Sequence, residues 1–403
     1  MPSPAMIPWA QLRAASFGRL KTRVCHRAVS SEAPARADFV IVGAGFAGLA
    51  TAAALVAQGA RDIVVLEAEA IPGKHGSGRN AAMARRVIED DVLARLATRS
   101  VALIGTMEQT RGELLARHGG LLIGDERAAD TLLASASVIP ALARDTLRLT
   151  RADAVAKVPA LLGADFEAAV WSSRCGVADI HALLTRYIDR ARAGGVRLLL
   201  RAPVQRVETD ANGIAAVHTR QGRIATRTVV NAAGFGANPV AALAGLGPLP
   251  FDPVRRHLFV TTPTTLIAPD APFVWNVTDG YYVRPEGAGL LMCACDETSW
   301  APEDPPVDPT ALGTLAAKFH RLVPGLRDAE PTRGWAGLRV MTPDGRFVIG
   351  PDPRLSGFFW VAGLGGHGMT TSAGVGEIAA QGILDGEVPA PYARAFAPER
   401  FLQ

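Results

Sequence analysis

Six residues, Gly43-Ala44-Gly45-Phe46-Ala47-Gly48, constrain this chain more than any others. They follow a short apolar run, Asp38 to Val42, and open a stretch of helical pattern from about Phe46 to Gln58. Gly59 then stops the helix, as glycine commonly does just past a helix end. A second apolar strand, Ile63 to Leu66, ends in Glu67, 19 residues beyond Gly48. This order predicts a strand–helix–strand unit of roughly 30 residues. In such a unit Gly43 permits the tight turn, Gly45 lets backbone approach a pyrophosphate, and Gly48 lets helix and strand pack closely. The helix start offers unpaired N–H groups and its dipole to phosphate. Glu67 can accept hydrogen bonds from ribose hydroxyls. The glycine pattern alone would be a weak signal; strand, helix and terminal acid together make it a dinucleotide site.

The rest of the chain narrows which dinucleotide. From about Met83 to Leu115 the pattern reads as helices with charged faces. Asp179 caps a predicted helix, His181 to Arg192, which Gly194-Gly195 ends, and a strand Val196 to Leu200 follows. Three alternating runs come next. Val207-Glu208-Thr209 turns at Asp210-Ala211-Asn212-Gly213 into Ile214 to Thr219, and Gln221-Gly222 leads to a third strand. An Asn-Gly turn between alternating runs predicts a hairpin. Val229-Val230-Asn231 ends at Ala232-Ala233-Gly234. Pro253 to Glu297 is mostly strands, a loop spans Ala301 to Pro309, and Ala311 to Leu322 is helical. A buried strand, Gly357 to Ala362, leads to a second glycine turn, Gly363 to Gly368, and a helix from Ser372 to Leu384. NAD-dependent dehydrogenases usually continue with further βαβ crossovers. A meander followed by a C-terminal return, with a second surface of backbone donors, suits a flavin ring, so FAD is the expected cofactor.

Composition sets limits on function. Hydrophobic residues at 49% and charged residues at 20% fit a soluble α/β enzyme and argue against disorder. The net charge of +4 does not indicate nucleic-acid binding. Arg13, Arg19, Lys21, Arg23 and Arg27 precede the first acid, Glu32, and the remainder is close to balanced. That first stretch reads as a transit peptide, a mistaken start or a disordered arm. No uncharged apolar run is long enough for a transmembrane helix. The expected location is cytoplasmic or peripheral on a membrane, or an organelle if the arm is a transit peptide. Cys25, Cys175, Cys293 and Cys295 lack metal-type spacing, so no metal is expected. Cys293-Ala294-Cys295 falls in a strand-like run, which puts both thiols on one face, expected as a buried pair rather than a redox pair.

Four segments carry a family resemblance: the glycine fingerprint with Glu67, Pro72 to Ala82, Trp335-Ala336-Gly337-Leu338-Arg339, and Gly357 to Glu377. Together with Val230 to Gly234 and Arg255-Arg256 they resemble the D-amino-acid oxidase superfamily over residues 36 to 390. The similarity is greatest to bacterial D-amino-acid dehydrogenases of the D-arginine type. The implied fold is α/β, with a Rossmann-like FAD-binding domain of the GR2 type carrying a β-meander. An α+β substrate domain with a mostly antiparallel sheet accompanies it. The implied division gives 36–83, 180–240 and 336–390 to the FAD-binding domain, and 84–179 and 241–335 to the substrate domain. An arm, 1–35, and a tail, 391–403, flank them.

The resemblance also implies roles. Besides Gly43, Gly45, Phe46, Ala47, Gly48 and Glu67, the cofactor would meet His75, Ser77, Arg79, Asn80, Ala81 and Ala82 beneath its pyrophosphate, ribityl chain and ring. Val204 would bond adenine through its backbone, with Ala232 and Gly234 nearby. Gly365, Gly366, Gly368, Met369 and Thr370 would line the isoalloxazine. Some relatives hold FAD through a cysteine near the Trp335–Arg339 segment; none stands there, which implies noncovalent FAD. Arg339 matches the arginine that forks onto a substrate carboxylate. Tyr282 matches a tyrosine on the same carboxylate, with Tyr281 as the alternative should the register differ. Arg256 matches a second arginine, with Arg255 facing solvent. His75 reads equally as a group tuning substrate or flavin and as a structural histidine.

The chain departs from the D-arginine type where Met83-Ala84-Arg85-Arg86 replaces an aromatic and acidic lid, and His367 is more like broad-specificity relatives. Neutral or acidic D-amino acids are therefore expected substrates as much as D-arginine. The expected reaction is oxidative deamination to a 2-oxo acid and ammonium, with a quinone, another acceptor or oxygen taking the electrons. The alternatives are a secondary-amine oxidase of the sarcosine, glycine or opine type, and a flavoprotein subunit or assembly factor without turnover.

Overall fold

The computed structural model describes residues 32–402. The readings made for residues 1–31, including Cys25, lie outside them. Phe39–Val42 sits inside a six-stranded sheet. The order is Val348–Pro351, Phe358–Ala362, Thr228–Asn231, Phe39–Val42, Ile63–Leu66 and Arg197–Leu199. The last five run parallel and Val348–Pro351 is antiparallel to its neighbour. Strands buried on both faces read as continuous apolar runs. Here Ile41, Ile63 and Val65 face one core, and Val40, Val42, Val64 and Leu66 face the other. The second core is shared with the meander, Arg206–Asp210, Gly213–Thr219 and Gly222–Ala225.

Three helices, Phe46–Ala57, Ile180–Ala193 and Ser372–Asp385, supply the other layer. The first and last touch backbone to backbone: a Cβ on Gly376 would stand 2.5 Å from the Ala50 carbonyl oxygen. Tyr187 ties the middle one to the last, its hydroxyl lying 2.9 Å from Ser372 Oγ.

A nine-stranded sheet forms the other half. Thr298–Ser299, Asp252–Thr261, Gly289–Cys293, Tyr281–Glu286, Phe273–Asn276, Gly120–Gly124, Ala168–Ser172 and Thr146–Leu149 follow in order, and Pro331–Met341 also pairs with Asp252–Thr261. Only Phe273–Asn276 against Gly120–Gly124 is parallel. The fold is thus the expected mixed α/β arrangement with a mostly antiparallel second sheet.

Several local expectations change. The 83–115 stretch is not helical throughout: Met83–Ala84 and Leu115–Ala116 are strands flanking Gly176–Ala178, and only Asp91–Arg111 is helix. Asp90 sets the start by accepting the Leu93 N–H at 3.0 Å, and Gly112, at φ +97°, ends it. The strand ending in Cys293 stops there rather than running through Cys295. Arg255 does not face solvent; it is 7% exposed, bonded to Asp308 at 2.8 Å and stacked over Trp300. Among the described residues of the arm and tail, several are packed. Ala33 donates to Gln221 O and Ala225 donates to Ala35 O, while Phe396 stacks on Phe347.

Gly376→Ala is expected to lower stability by about 2 kcal/mol, the usual scale of overpacking. A urea midpoint unchanged from wild type would show that the seam with Ala50 yields freely.

Candidate active site

The turn between Val42 and the Phe46–Ala57 helix is built without room for side chains. A Cβ on Gly43, which sits at φ +107°, would meet Ala232 O at 2.4 Å, and one on Gly48 would meet Gly43 O at 1.9 Å. Gly48 therefore packs strand on helix, whereas Gly43, Gly45, Phe46 and Ala47 border a cavity of about 480 Å³. No side chain caps the helix at Gly45. Ser77 Oγ accepts the Phe46 N–H at 2.9 Å. Glu67 ends its strand with one oxygen accepting Ala44 N–H (2.8 Å) and the other Glu69 N–H (2.9 Å). Val204, Ala232 and Gly234 border the same end of the cavity.

From there the lining follows the 73–83 segment inward. Asn80 braces it: its amide donates to Ser77 O at 2.7 Å and its oxygen accepts Ala82 N–H at 2.7 Å, holding Ala82 at φ +59°. Ala81 and Met83 continue the wall. His75 borders the cavity with Nε2 on Glu69 at 2.9 Å and its ring edge on Phe235; its buried Nδ1 has no partner. Lys74 also binds Glu69, and this bond, ahead of His75, holds that carboxyl below its usual range. Arg79 also borders the cavity. Its guanidinium reaches outward to Asp304 and Ala336 O.

The inner end is where the two sheets meet. Gly365, at φ +50°, donates to Val340 O at 3.0 Å. Gly366 lies against Arg339, so that a Cβ there would be 2.9 Å from Nη1. Gly368, Met369 and Thr370 complete this turn, and Thr370 is anchored by its hydroxyl to Met83 O at 3.0 Å. Opposite stand Trp275, Tyr282 and Arg256. Tyr282 pairs across strands with both Trp275 and Cys293. Tyr281 points to the other face and packs on Phe319, which decides the register between the two tyrosines.

The electrostatics separate the arginines. Arg256 is tied to Glu297 and to the Asp296 carbonyl at 3.2 Å. Arg85 lies behind Trp275, its guanidinium 4.4 Å from the ring centroid, bonded to Glu89 at 3.1 Å and 3.2 Å from His367 Nε2. Arg86 turns away to Asp145. Among the described residues no carboxylate or hydrogen-bond acceptor engages the Arg339 guanidinium. Tyr282 is fully buried and its hydroxyl also lacks an oxygen or nitrogen partner. Burial chiefly pushes that phenol well above its usual range, so it is a neutral donor. His367 is brought down to about 3 by burial and then by Arg85 and Arg339. It is neutral beside both cations.

Sequence reasoning missed Trp275, Phe235 and Glu69. Only the cross-strand register and the fold of the 69–75 loop bring them in. A dinucleotide fits the observed features, namely a helix start whose own N-cap residue, Gly45, carries no side chain, turns closed to any Cβ, an acid at the strand end and unpartnered polar atoms inward.

A family model described as FAD dependent oxidoreductase (DAO) matches residues 38–382. The chain belongs to this family. Its cofactor is accordingly FAD, and its class is FAD-dependent oxidoreductase. Rat mitochondrial dimethylglycine dehydrogenase is 27% identical over 88% of this chain and 44% of its own length. A D-amino acid dehydrogenase of Cereibacter sphaeroides is 28% identical over 53% of this chain and 48% of its own. The chain spans less than half the length of these two relatives. Among solved structures, L-proline dehydrogenase from P. horikoshii superposes with a TM-score of 0.83 at 26% identity, covering 92% of this chain and 99% of that one. Glycine oxidase from Geobacillus kaustophilus shares the fold, with a TM-score of 0.77 at 24% identity over 90% and 98% of the two chains. No helix among the described residues is long and apolar enough to cross a membrane.

The low His367 value has a stability consequence. Unfolded histidine titrates near 6.5. Between that pH and about 3 the unfolded chain gains a proton that the folded site refuses. Stability therefore falls with acidification across this window, and His367→Asn should flatten the fall. Denaturant midpoints measured from pH 7 to pH 4 check it; parallel curves for both proteins would contradict it.

Proposed function

We propose that this chain oxidises the Cα–N bond of an amino acid held by its α-carboxylate, and that the amino acid is of the D series. The observation that carries the reading is the pairing of an uncompensated Arg339 guanidinium with a buried Tyr282 hydroxyl that has no oxygen or nitrogen partner, in one cavity. A carboxylate supplies what both lack. The planar fork of arginine suits two carboxylate oxygens, and the neutral phenol adds a third hydrogen bond. FAD, noncovalent in this reading, would supply the hydride acceptor for Cα. Residues 36–83, 180–240 and 336–390 would hold it, with 84–179 and 241–335 closing the substrate side.

The chain's own residues act by orientation. Arg339 and Tyr282 fix one end of the substrate, so Cα has little freedom relative to the glycine turn at 365–368. Trp275 and Met83 keep that end dry, which strengthens the ion pair. Arg256 steadies the wall from its bonds to Glu297 and the Asp296 carbonyl. His75 meets the cavity near its other end. The imino acid product hydrolyses in water to a 2-oxo acid and ammonium and needs no residue for that step. A quinone, another acceptor or oxygen takes the electrons.

A second reading, an N-substituted amino acid such as sarcosine, has its own support: dimethylglycine dehydrogenase is matched over far more of this chain than the D-amino acid dehydrogenase. Anaerobic mixing of the FAD-loaded protein with D-alanine, D-leucine, D-glutamate, sarcosine, L-proline and L-isomers separates the two. Bleaching of flavin absorbance by D-amino acids is the expected result. Bleaching by sarcosine or proline alone selects the second reading, and bleaching by no amine favours a flavoprotein subunit without turnover. Arg339→Lys should raise the half-saturating concentration roughly 100-fold, about 3 kcal/mol for a lost charged fork. Tyr282→Phe should cost roughly tenfold, one hydrogen bond. Unchanged saturation in Arg339→Lys would remove the carboxylate anchor.

A further inference from the structure

Cys293 and Cys295 stand beside Tyr282, behind the cavity wall, and the proposed reaction uses neither. Cys293 closes its strand as the cross-strand partner of Tyr282 and is fully buried. Past Ala294 the chain turns sharply: Cys295 adopts φ +52°, a left-handed conformation that non-glycine residues seldom take. The turn swings the Cys295 N–H onto Cys293 Sγ at 3.3 Å. Cys295 itself is partly exposed. Its carbonyl accepts from Arg256 at 3.4 Å, and that guanidinium is paired with Glu297 on its other side. Arg339 adds a second cation from the neighbouring strand, and Tyr282 faces the pair as a neutral phenol. A sulfur anion here has an N–H donor and two guanidiniums around it, the surroundings that make a thiol reactive.

We propose that Cys293 and Cys295 form a dithiol site that small hydroperoxides oxidise to a disulfide. The thiolate attacks the terminal oxygen of the peroxide, the O–O bond breaks, and the departing hydroxide (alkoxide for an organic hydroperoxide) takes a proton and leaves as water or alcohol. The resulting sulfenic acid is attacked by the second thiol, the S–S bond forms, and a water leaves. Two thiols lose two electrons and one peroxide gains them. Cys293, the sulfur surrounded by the N–H and the guanidiniums, attacks the reagent that enters past the partly exposed Cys295, and the Cys295 thiol resolves the intermediate.

The thiols favour this. Burial pushes Cys293 up, but its hydrogen bond with Cys295, together with Arg256, Tyr282 and Arg339, outweighs burial and brings it down to about 7. Cys295 is held well above the usual range by its bonded neighbour and by burial. Cys175, buried and solitary, serves as an internal control. A disulfide would tighten the 294–297 turn that carries the partner of Arg256 and would shift the contact beneath Tyr282. In the reading proposed above, this makes oxidation a reversible brake on turnover.

The test uses the full FAD-loaded chain, exposed to hydrogen peroxide at pH 6 and pH 8, quenched with an alkylating reagent and peptide-mapped. The 293–295 peptide should lose two hydrogens and escape alkylation while Cys175 is alkylated. The rate should rise about tenfold between the two pH values as the thiolate fraction grows. Full alkylation of both cysteines after peroxide, or a sulfonic acid without disulfide, overturns the proposal. Cys295→Ser should retain the flavin spectrum and lose the reductant-reversible step. If that variant does not fold, mapping of the unaltered protein decides alone. Because mapping reads sulfur, it gives an answer even if no amine is oxidised.

Discussion

The site exists because two helices from opposite ends of the chain meet with almost nothing between them. The Phe46–Ala57 and Ser372–Asp385 helices touch at Ala50 and Gly376. The same economy recurs where Gly374 lies on Leu96, where Gly48 lies on Gly43, and where Gly43 lies on Ala232. Interiors this dense leave no slack for an added methyl. The seam is what brings the 363–370 turn over the fingerprint turn. Without it the cavity would have one wall.

What was legible in the sequence is what local chemistry decides. The fingerprint, its acid, the Asn-Gly meander and the C-terminal strand and turn each combine a period with a punctuating glycine, and each stands where the residues put it. The 83–90 stretch was misread because nothing nearby forbids helix; pairing of Met83–Ala84 with Gly176–Ala178 overrides propensity, and Asp90 delays the helix start. Arg255 looked solvated because its partners, Asp308 and Trp300, are remote in sequence. Trp275 could not be found at all from one chain, since it reaches the cavity only through the register that sets it beside Tyr282.

The arginines near the cavity show how a protein assigns identical side chains to different work. Arg79 holds Asp304, Arg85 holds Glu89, and Arg256 holds Glu297. Each fastens one piece of backbone to another, and each loses its appetite for a ligand by doing so. Arg339 has no such partner among the described residues. A sequence motif can locate an arginine, but only the surrounding acids tell whether its charge is already spent.

Gly365 hangs from Val340, one residue after Arg339, and Gly366 rests on the Arg339 guanidinium itself. In the proposed reading the grip on the substrate and the floor under the cofactor are one rigid part, with no joint between them. Such a part cannot be retuned by halves: a mutation that moves the grip also moves the floor. Variation in what this scaffold accepts then falls to other strands of the same nine-stranded sheet, where Trp275, Tyr282 and Cys293 lie side by side. The machine is fixed on one side and interchangeable on the other.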